Sequence, residues 1–168
     1  MDRERVLPEY VQDIFDTLRL VDIPWQQGPQ DYHQFTETFS QHHRMPLYNY
    51  ALQQLWREGR VYACTCSRAD VARMGGIYNG VCRHKALPPN TPDACWRMNT
   101  DDAHLVTIKT LSGPISVPFP ADMAHFVVRR RDGLPAYQLS SVVDDVHFGV
   151  DLVVRGQDLF SSTVAQLY

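Results

Sequence analysis

Three of the four cysteines in this 168-residue chain lie within 19 positions of one another. Cys64 and Cys66 stand one residue apart in "YACTCSRAD", and Cys82 follows in the glycine-rich "GGIYNGVCRH". Structural zinc sites take four ligands in a tetrahedron, and cysteine thiolates are among the preferred ones. The first pair can place two sulfurs on one side of an ion, and the glycines let the chain bend back to bring the third. The cluster therefore predicts a structural zinc site.

The fourth ligand is open from the residues alone. His84, two positions after Cys82, is the choice by ligand chemistry, and Tyr78 also lies within the loop. Two other readings of the cysteines remain: buried thiols that pack as small hydrophobic groups, or a redox-active C-x-C pair. The separate Cys95 is interpreted as a buried hydrophobic residue of this kind.

Composition limits the classes of function. The length suits one domain, or one domain with an insertion, and 44% hydrophobic residues suffice for a core. A net charge of -3 gives no general attraction for nucleic acid, so such contacts need a local basic patch. The dense run Arg129–Arg131 is interpreted as a solvated strand end, with an RNA-backbone contact as the alternative.

No apolar run reaches the ~20 residues of a membrane span. The N-terminus shows no secretion signal, which predicts a cytoplasmic location with reduced thiols.

The first third of the chain has helical periodicity. Residues 6–20 are predicted to form a helix whose apolar face consists of Val6, Tyr10, Val11, Ile14, Phe15 and Leu18. Residues 31–58 are predicted to be helical in two pieces, with the break near Pro46. A short strand, "RVYAC", then leads into the cysteine cluster.

The rest of the chain alternates strands and helices. The segments "CWRMNT", "HLVTIKT" and "PISVPF" predict a small antiparallel sheet. Beyond about residue 125, strand "HFVVRR", turn "RDGLP", helix "AYQLSSVVDDV", buried strand "VDLVVRG" and helix "QDLFSSTVAQLY" predict a βαβα unit of a parallel sheet. The predicted plan is an α/β frame with an insertion at about 61–120.

Two blocks of this sequence resemble a known family. "CTCSRADV…GGIYNGVCR" is similar to the zinc-binding insertion of the glutamyl-queuosine tRNA(Asp) synthetases, short paralogues of glutamyl-tRNA synthetase. "RRDGLPAYQLSSVVDDVHFGVDLVVRGQDLFSSTVAQ" is similar to the second half of their active site, and "RGQDL" before "SST" fits them better than discriminating glutamyl-tRNA synthetases, which usually have Arg-Gly-Glu-Glu-His there. The resemblance covers nearly the whole chain. It implies a partial class I aminoacyl-tRNA synthetase catalytic domain of Rossmann type, divided into 1–60, the zinc-binding insertion 61–120, and 121–168.

The resemblance also implies an activity and its ligands. The family activates glutamate with ATP and transfers it to queuosine in the anticodon of tRNA(Asp). The implied Zn²⁺ ligands are Cys64, Cys66, Tyr78 and Cys82, which favours Tyr78 over His84.

The resemblance further implies two glutamate contacts, Tyr137 and Arg155. A strand-end arginine can grip a carboxylate with two hydrogen bonds, and a tyrosine offers a hydroxyl on a rigid ring. Without the family, Tyr137 is equally well a core aromatic and Arg155 a surface charge. Asp144 and Asp145 are interpreted as polar residues at a helix end that shape the pocket, since adenylation depends mainly on positioning and charge stabilisation. No residue is assigned a catalytic role.

The two ATP signatures of class I synthetases, a His-x-Gly-His type turn and a Lys-x-Ser-Lys loop, do not occur in the sequence. "MDRER" resembles the end of the family's acidic segment, with Asp2 and Arg5 retained. These observations predict a chain that is truncated at both ends and inactive by itself. The alternative is a non-catalytic, zinc-stabilised module that binds tRNA or protein.

Overall fold

The computed structural model describes residues 6–101 and 103–168 of the chain. Asp2 and Arg5, singled out in the sequence, therefore lie outside the described residues. The chain divides into two compact units, Met1–Leu47 and Tyr48–Tyr168. The three-part division at residues 60 and 120 stays a prediction. No helix in the described part of the chain is long and apolar enough to cross a membrane.

Helix α1, Pro8–Leu20, confirms the first predicted helix. Proline is well suited to the first helical position, where its missing N–H has no intrahelical partner to lose. Only Phe15 of the predicted apolar face is buried, and it stacks on Trp25 at a centroid distance of 6.1 Å. Tyr10 and Ile14 are more than half exposed, so the periodicity predicted the helix correctly but not how much of its face is covered.

Residues 31–58 are helical in several pieces, which are α2 Tyr32–Gln34, a π-helical turn Phe35–Phe39, a 3₁₀ turn Gln41–Arg44 and α3 Met45–Arg57. The predicted break near Pro46 is wrong. The chain leaves helical geometry at Ser40, whose ψ is 138°. Pro46 stands in the first turn of α3, where a proline removes no helical hydrogen bond.

Two antiparallel sheets occupy the second unit. Strands β1 (Val61–Cys64), β2 (Cys95–Met98) and β5 (Val127–Arg129) form one sheet in the order β1-β2-β5. Strands β3 (Leu105–Thr110) and β4 (Gly113–Pro118) form a hairpin. The five predicted strands that make up these sheets are confirmed, but the predicted single sheet is wrong because β2 pairs with β1 and β5 instead of with the hairpin.

The last part of the chain confirms the helices and corrects the strand between them. The turn "RDGLP" is closed by a hydrogen bond from the Arg130 amide to the Leu134 carbonyl, and helices α5 (Tyr137–Phe148) and α6 (Phe160–Leu167) follow. The predicted buried strand "VDLVVRG" is wrong: residues 150–156 form no strand, and Leu152 and Val154 are exposed.

A β-strand forms backbone hydrogen bonds with a partner strand. An apolar run in the sequence does not reveal whether such a partner strand is present. In the described residues all strand pairs are antiparallel, so the predicted βαβα parallel arrangement is wrong there.

Among the described residues, two buried clusters lie in the second unit. One packs α6 onto the hairpin and contains Val106, Ile108, Phe119, Val164 and Ala165. The other lies at the end of the β1-β2-β5 sheet and contains Cys64, Tyr78, Cys82 and Cys95. The second cluster therefore gathers the residues that the sequence suggested for chemistry.

Candidate metal centre

The three clustered cysteines meet in the structure. The sulfurs of Cys64, Cys66 and Cys82 all lie within 4.8 Å of one another, and those of Cys66 and Cys82 are 3.5 Å apart. Cys64 and Cys82 are fully buried, while Cys66 is partly exposed. Three thiols held this close form a group that could hold a metal ion.

Local structure explains how the sulfurs converge. Cys64 ends strand β1, and Cys66 precedes helix α4 (Arg68–Arg73). That helix starts with a reciprocal capping arrangement: the Ser67 hydroxyl accepts from the Asp70 amide at 3.1 Å, and the Asp70 carboxylate accepts from the Ser67 amide at 2.7 Å. The hydrogen bonds from Ser67 lower the pKa of Asp70. The cap fixes the direction in which the chain leaves the C-x-C pair.

Tyr78 lies inside the group of thiols. Its side chain is 4% exposed, its hydroxyl oxygen is 3.3 Å from Cys64 Sγ, and it accepts a 2.9 Å hydrogen bond from the Cys82 amide. His84 is exposed and does not belong to the group of potential ligands formed by the three cysteines. The choice between the two as fourth ligand stays a prediction, and the burial and contacts of Tyr78 support it over His84.

The donor set fits a tetrahedral zinc ion. With Zn–S bonds of about 2.3 Å and a Zn–O bond of about 2.0 Å, the tetrahedral edges are about 3.8 Å between sulfurs and about 3.5 Å between sulfur and oxygen. The observed 3.5 Å between Cys66 and Cys82, and 3.3 Å between Cys64 and Tyr78, are close to these edges. Two of the six ligand-to-ligand distances are therefore close to those of a tetrahedral site, and no two of the three sulfurs are more than 4.8 Å apart.

The thiols differ in their proton affinity. The neighbouring Cys95 side chain is the main cause that lowers the pKa of the Cys64 thiol to about 4. Burial raises the pKa of Cys66 to about 11. Burial likewise raises the pKa of Tyr78 above its usual range. A cation bound among these groups would favour their deprotonated forms, since metal ligation requires thiolates.

Sequence reasoning missed the residues that surround the cluster. Cys95, interpreted as a small hydrophobic residue, is indeed buried, and its thiol donates to the Cys64 carbonyl at 3.4 Å. The guanidinium of Arg97 lies over the Tyr78 ring, and the ring of buried His125 meets Tyr78 edge-on at 6.0 Å. The β1-β2-β5 pairing brings these residues to the site, and no local spacing signals it.

The two predicted glutamate contacts lie in the second unit but in different settings. Tyr137 is the first residue of α5 and its side chain is about half exposed. Arg155 lies in the segment before α6, is partly buried, and donates a 2.7 Å hydrogen bond to the Gln166 side chain. Their role in binding glutamate stays a prediction.

Comparison with known proteins gives a consistent result. Residues 1–168 match the family model described as tRNA synthetases class I (E and Q), catalytic domain. The chain is 34% identical over 168 residues to the glutamyl-Q tRNA(Asp) synthetase of Pseudomonas aeruginosa, and 36% identical over 176 residues to that of Dechloromonas aromatica. These alignments cover 100% of this chain and 54% and 55% of the two relatives. The chain thus spans about half the length of the curated relatives it matches.

Solved structures share the fold. A glutamate tRNA ligase from Elizabethkingia meningosepticum matches with a TM-score of 0.71, covering 98% of this chain and 37% of that one. The glutamate-tRNA synthetase of Elizabethkingia anophelis matches with a TM-score of 0.77, covering 99% of this chain and 38% of that one. Both are 17% identical in sequence, so the similarity concerns the fold alone.

Proposed function

Because the chain belongs to the class I tRNA synthetases of the E and Q type, we propose that it takes part in the ATP-dependent activation of glutamate and its transfer to queuosine in the anticodon of tRNA(Asp). The predicted class I catalytic-domain fold is confirmed by the same match and by the solved structures. The observation that carries the proposal is the 34–36% identity, along the whole chain, to glutamyl-Q tRNA(Asp) synthetases. The expected cytoplasmic location stays a prediction.

The proposal gives the zinc ion a structural role. Cys64, Cys66, Tyr78 and Cys82 would hold it, and their distances fit such a site. Four protein ligands leave no open position for a substrate, so the ion would supply folding energy to the loop. About one zinc per chain is expected by elemental analysis of protein purified without chelator.

Tyr137 and Arg155 would recognise the amino acid. A guanidinium can bind one substrate carboxylate through two parallel hydrogen bonds, and the hydrogen bond of Arg155 to Gln166 supports an orienting role for Gln166. The half-exposed Tyr137 can offer its hydroxyl to a ligand from solvent. ATP would be the co-substrate of the complete reaction.

Neither ATP signature occurs among the 168 residues. We therefore expect no glutamate-dependent ATP–pyrophosphate exchange from this chain alone, and exchange at a full synthetase rate would contradict that expectation. The thiol cluster supports, as second candidate, a zinc-stabilised module that binds RNA or protein without catalysis.

Glutamate binding distinguishes the two candidates. Calorimetry on the zinc-loaded chain should show binding of glutamate in preference to aspartate. Arg155→Gln should weaken it by roughly 10- to 100-fold, the loss expected for a charge-assisted hydrogen bond. Tyr137→Phe should weaken it less, and Arg57→Gln, an exposed arginine at the end of α3, should not change it. Absence of glutamate binding would favour the non-catalytic module, and binding indifferent to Arg155 would refute the assigned site.

A further inference from the structure

A basic cavity adjoins the thiol cluster. It has a volume of about 550 Å³ and lies among Cys66, helix α4, strand β2 and the turn after β5. Four arginines and one aspartate line it, a formal excess of three positive charges. The whole chain carries a net charge of -3, so positive charge is concentrated here against the overall balance.

The cavity contains more positive charge than its own anion can neutralise. Asp132 is paired with Arg130 at 2.7 Å. Arg131 donates to the carbonyls of Thr65 and Cys66, at 2.8 and 2.6 Å, which fixes its position without cancelling its charge.

Arg97 and Arg68 complete the basic lining. Arg97 donates to the His125 carbonyl, and among the described residues its buried Nε has no hydrogen-bond partner. Arg68 is exposed at the start of α4. Three lining guanidiniums, those of Arg68, Arg97 and Arg131, are therefore without a carboxylate in an ion pair, again among the described residues.

We propose that this cavity binds backbone phosphates of RNA. Guanidinium groups match the geometry of phosphate oxygens, and several held in one concave surface act on successive phosphates. The chemistry alone would also suit a free phosphate ion. The choice of RNA rests on the proposed function, in which the substrate is a tRNA. The surface beside the metal centre would then contact RNA independently of its sequence.

Salt dependence tests the proposal. Binding of a labelled tRNA(Asp) transcript to the zinc-loaded chain is measured by fluorescence anisotropy between about 50 and 200 mM salt. Arg68→Gln should weaken binding and reduce the slope of log K against log salt by about 1, and Arg68→Gln/Arg131→Gln, which removes two of the guanidiniums without a carboxylate partner among the described residues, by about 2. The control Arg57→Gln removes the same charge from an exposed position outside the cavity lining and should leave the slope unchanged. Zinc content and thermal unfolding confirm that each variant is folded.

The outcomes separate this inference from the proposed function. Each variant is also measured with tRNA(Phe), since phosphate contacts should weaken binding to both RNAs equally. Equal weakening without any preference for tRNA(Asp) supports the cavity and counts against the tRNA(Asp) assignment. If the chain prefers tRNA(Asp) and its affinity is unchanged in the Arg68 and Arg131 variants, the cavity proposal is refuted and the tRNA(Asp) assignment stands. If the chain binds neither RNA, the cavity proposal is refuted. It is also refuted if orthophosphate, added at constant ionic strength, displaces RNA at concentrations far below that of the background salt.

Discussion

The guanidinium carbon of Arg97 lies 3.9 Å from the centroid of the Tyr78 ring. This places a permanent positive charge against the residue proposed to complete the metal site. Tyr78 Oη in turn lies 3.3 Å from Cys64 Sγ. Arg97 thus packs against the loop, and its charge would offset part of the negative charge of three zinc-bound thiolates.

Replacing Arg97 should therefore weaken the metal centre. Arg97→Met should lower the free energy of unfolding of the zinc-loaded protein by about 1–2 kcal/mol, since a desolvated cation–π contact is lost. Arg97→Lys, which keeps the positive charge, should lower the free energy of unfolding by less. Denaturant unfolding at fixed free zinc measures the difference, with Arg57→Met as control for loss of an exposed arginine. Arg97→Met with unchanged stability would show that the contact contributes nothing.

The identity of the fourth ligand can be tested with two matched variants. Tyr78→Phe removes the hydroxyl that lies near Cys64 and keeps the ring, so zinc affinity should fall by at least about tenfold, the lower range seen for residues that support a metal site. His84→Ala changes an exposed side chain outside the cluster and should leave affinity unchanged. Competition with a chromophoric chelator measures both. The reverse pattern would assign the ligand to His84.

Gly80 should be the least replaceable glycine of the loop. Its φ is +76°, and an added Cβ would lie 2.7 Å from Nε2 of buried His125, whose ring packs edge-on to Tyr78. Gly75 also has a positive φ, +88°, but a Cβ there would have nothing within 4 Å. Both alanine variants lose stability because alanine is strained at a positive φ. Gly80→Ala should lose about 1–3 kcal/mol more, because its Cβ overpacks against His125.

Thermal unfolding of the two variants isolates that steric term, because the backbone cost is common to both. A midpoint for Gly80→Ala well below that for Gly75→Ala is the expected result, and zinc content should fall in parallel. Equal midpoints would mean that the His125 ring moves aside at no cost.

The sequence predicted what depends on local spacing. Cys64, Cys66 and Cys82 lie within 19 positions, so ligand chemistry and glycine content sufficed to propose their convergence, while the preference for Tyr78 rested on the family resemblance. Cys95 pairs with Cys64 across 31 positions, and Arg97 and His125 reach the cluster through the same sheet, so only the register of β1, β2 and β5 shows their proximity. The error at 150–156 has a related cause: an apolar run shows that a segment is suited to burial, while the strand state depends on a neighbour elsewhere in the chain.

The pair Tyr48 and Asp144 joins α3 to α5 and supplies the last prediction. Tyr48 is fully buried, and its hydroxyl donates a 2.5 Å hydrogen bond to the Asp144 carboxylate. Asp144, interpreted from sequence as a polar residue at a helix end, thus anchors a helix-to-helix contact. Tyr48→Phe should lower the free energy of unfolding by about 1.5–3 kcal/mol, the usual loss for a hydrogen bond to a charged group. Tyr50→Phe, at an exposed position of the same helix, should change it by less than about 0.5 kcal/mol. Urea unfolding with equal m-values measures both, and equal effects would show that the Tyr48 hydrogen bond contributes no net stability.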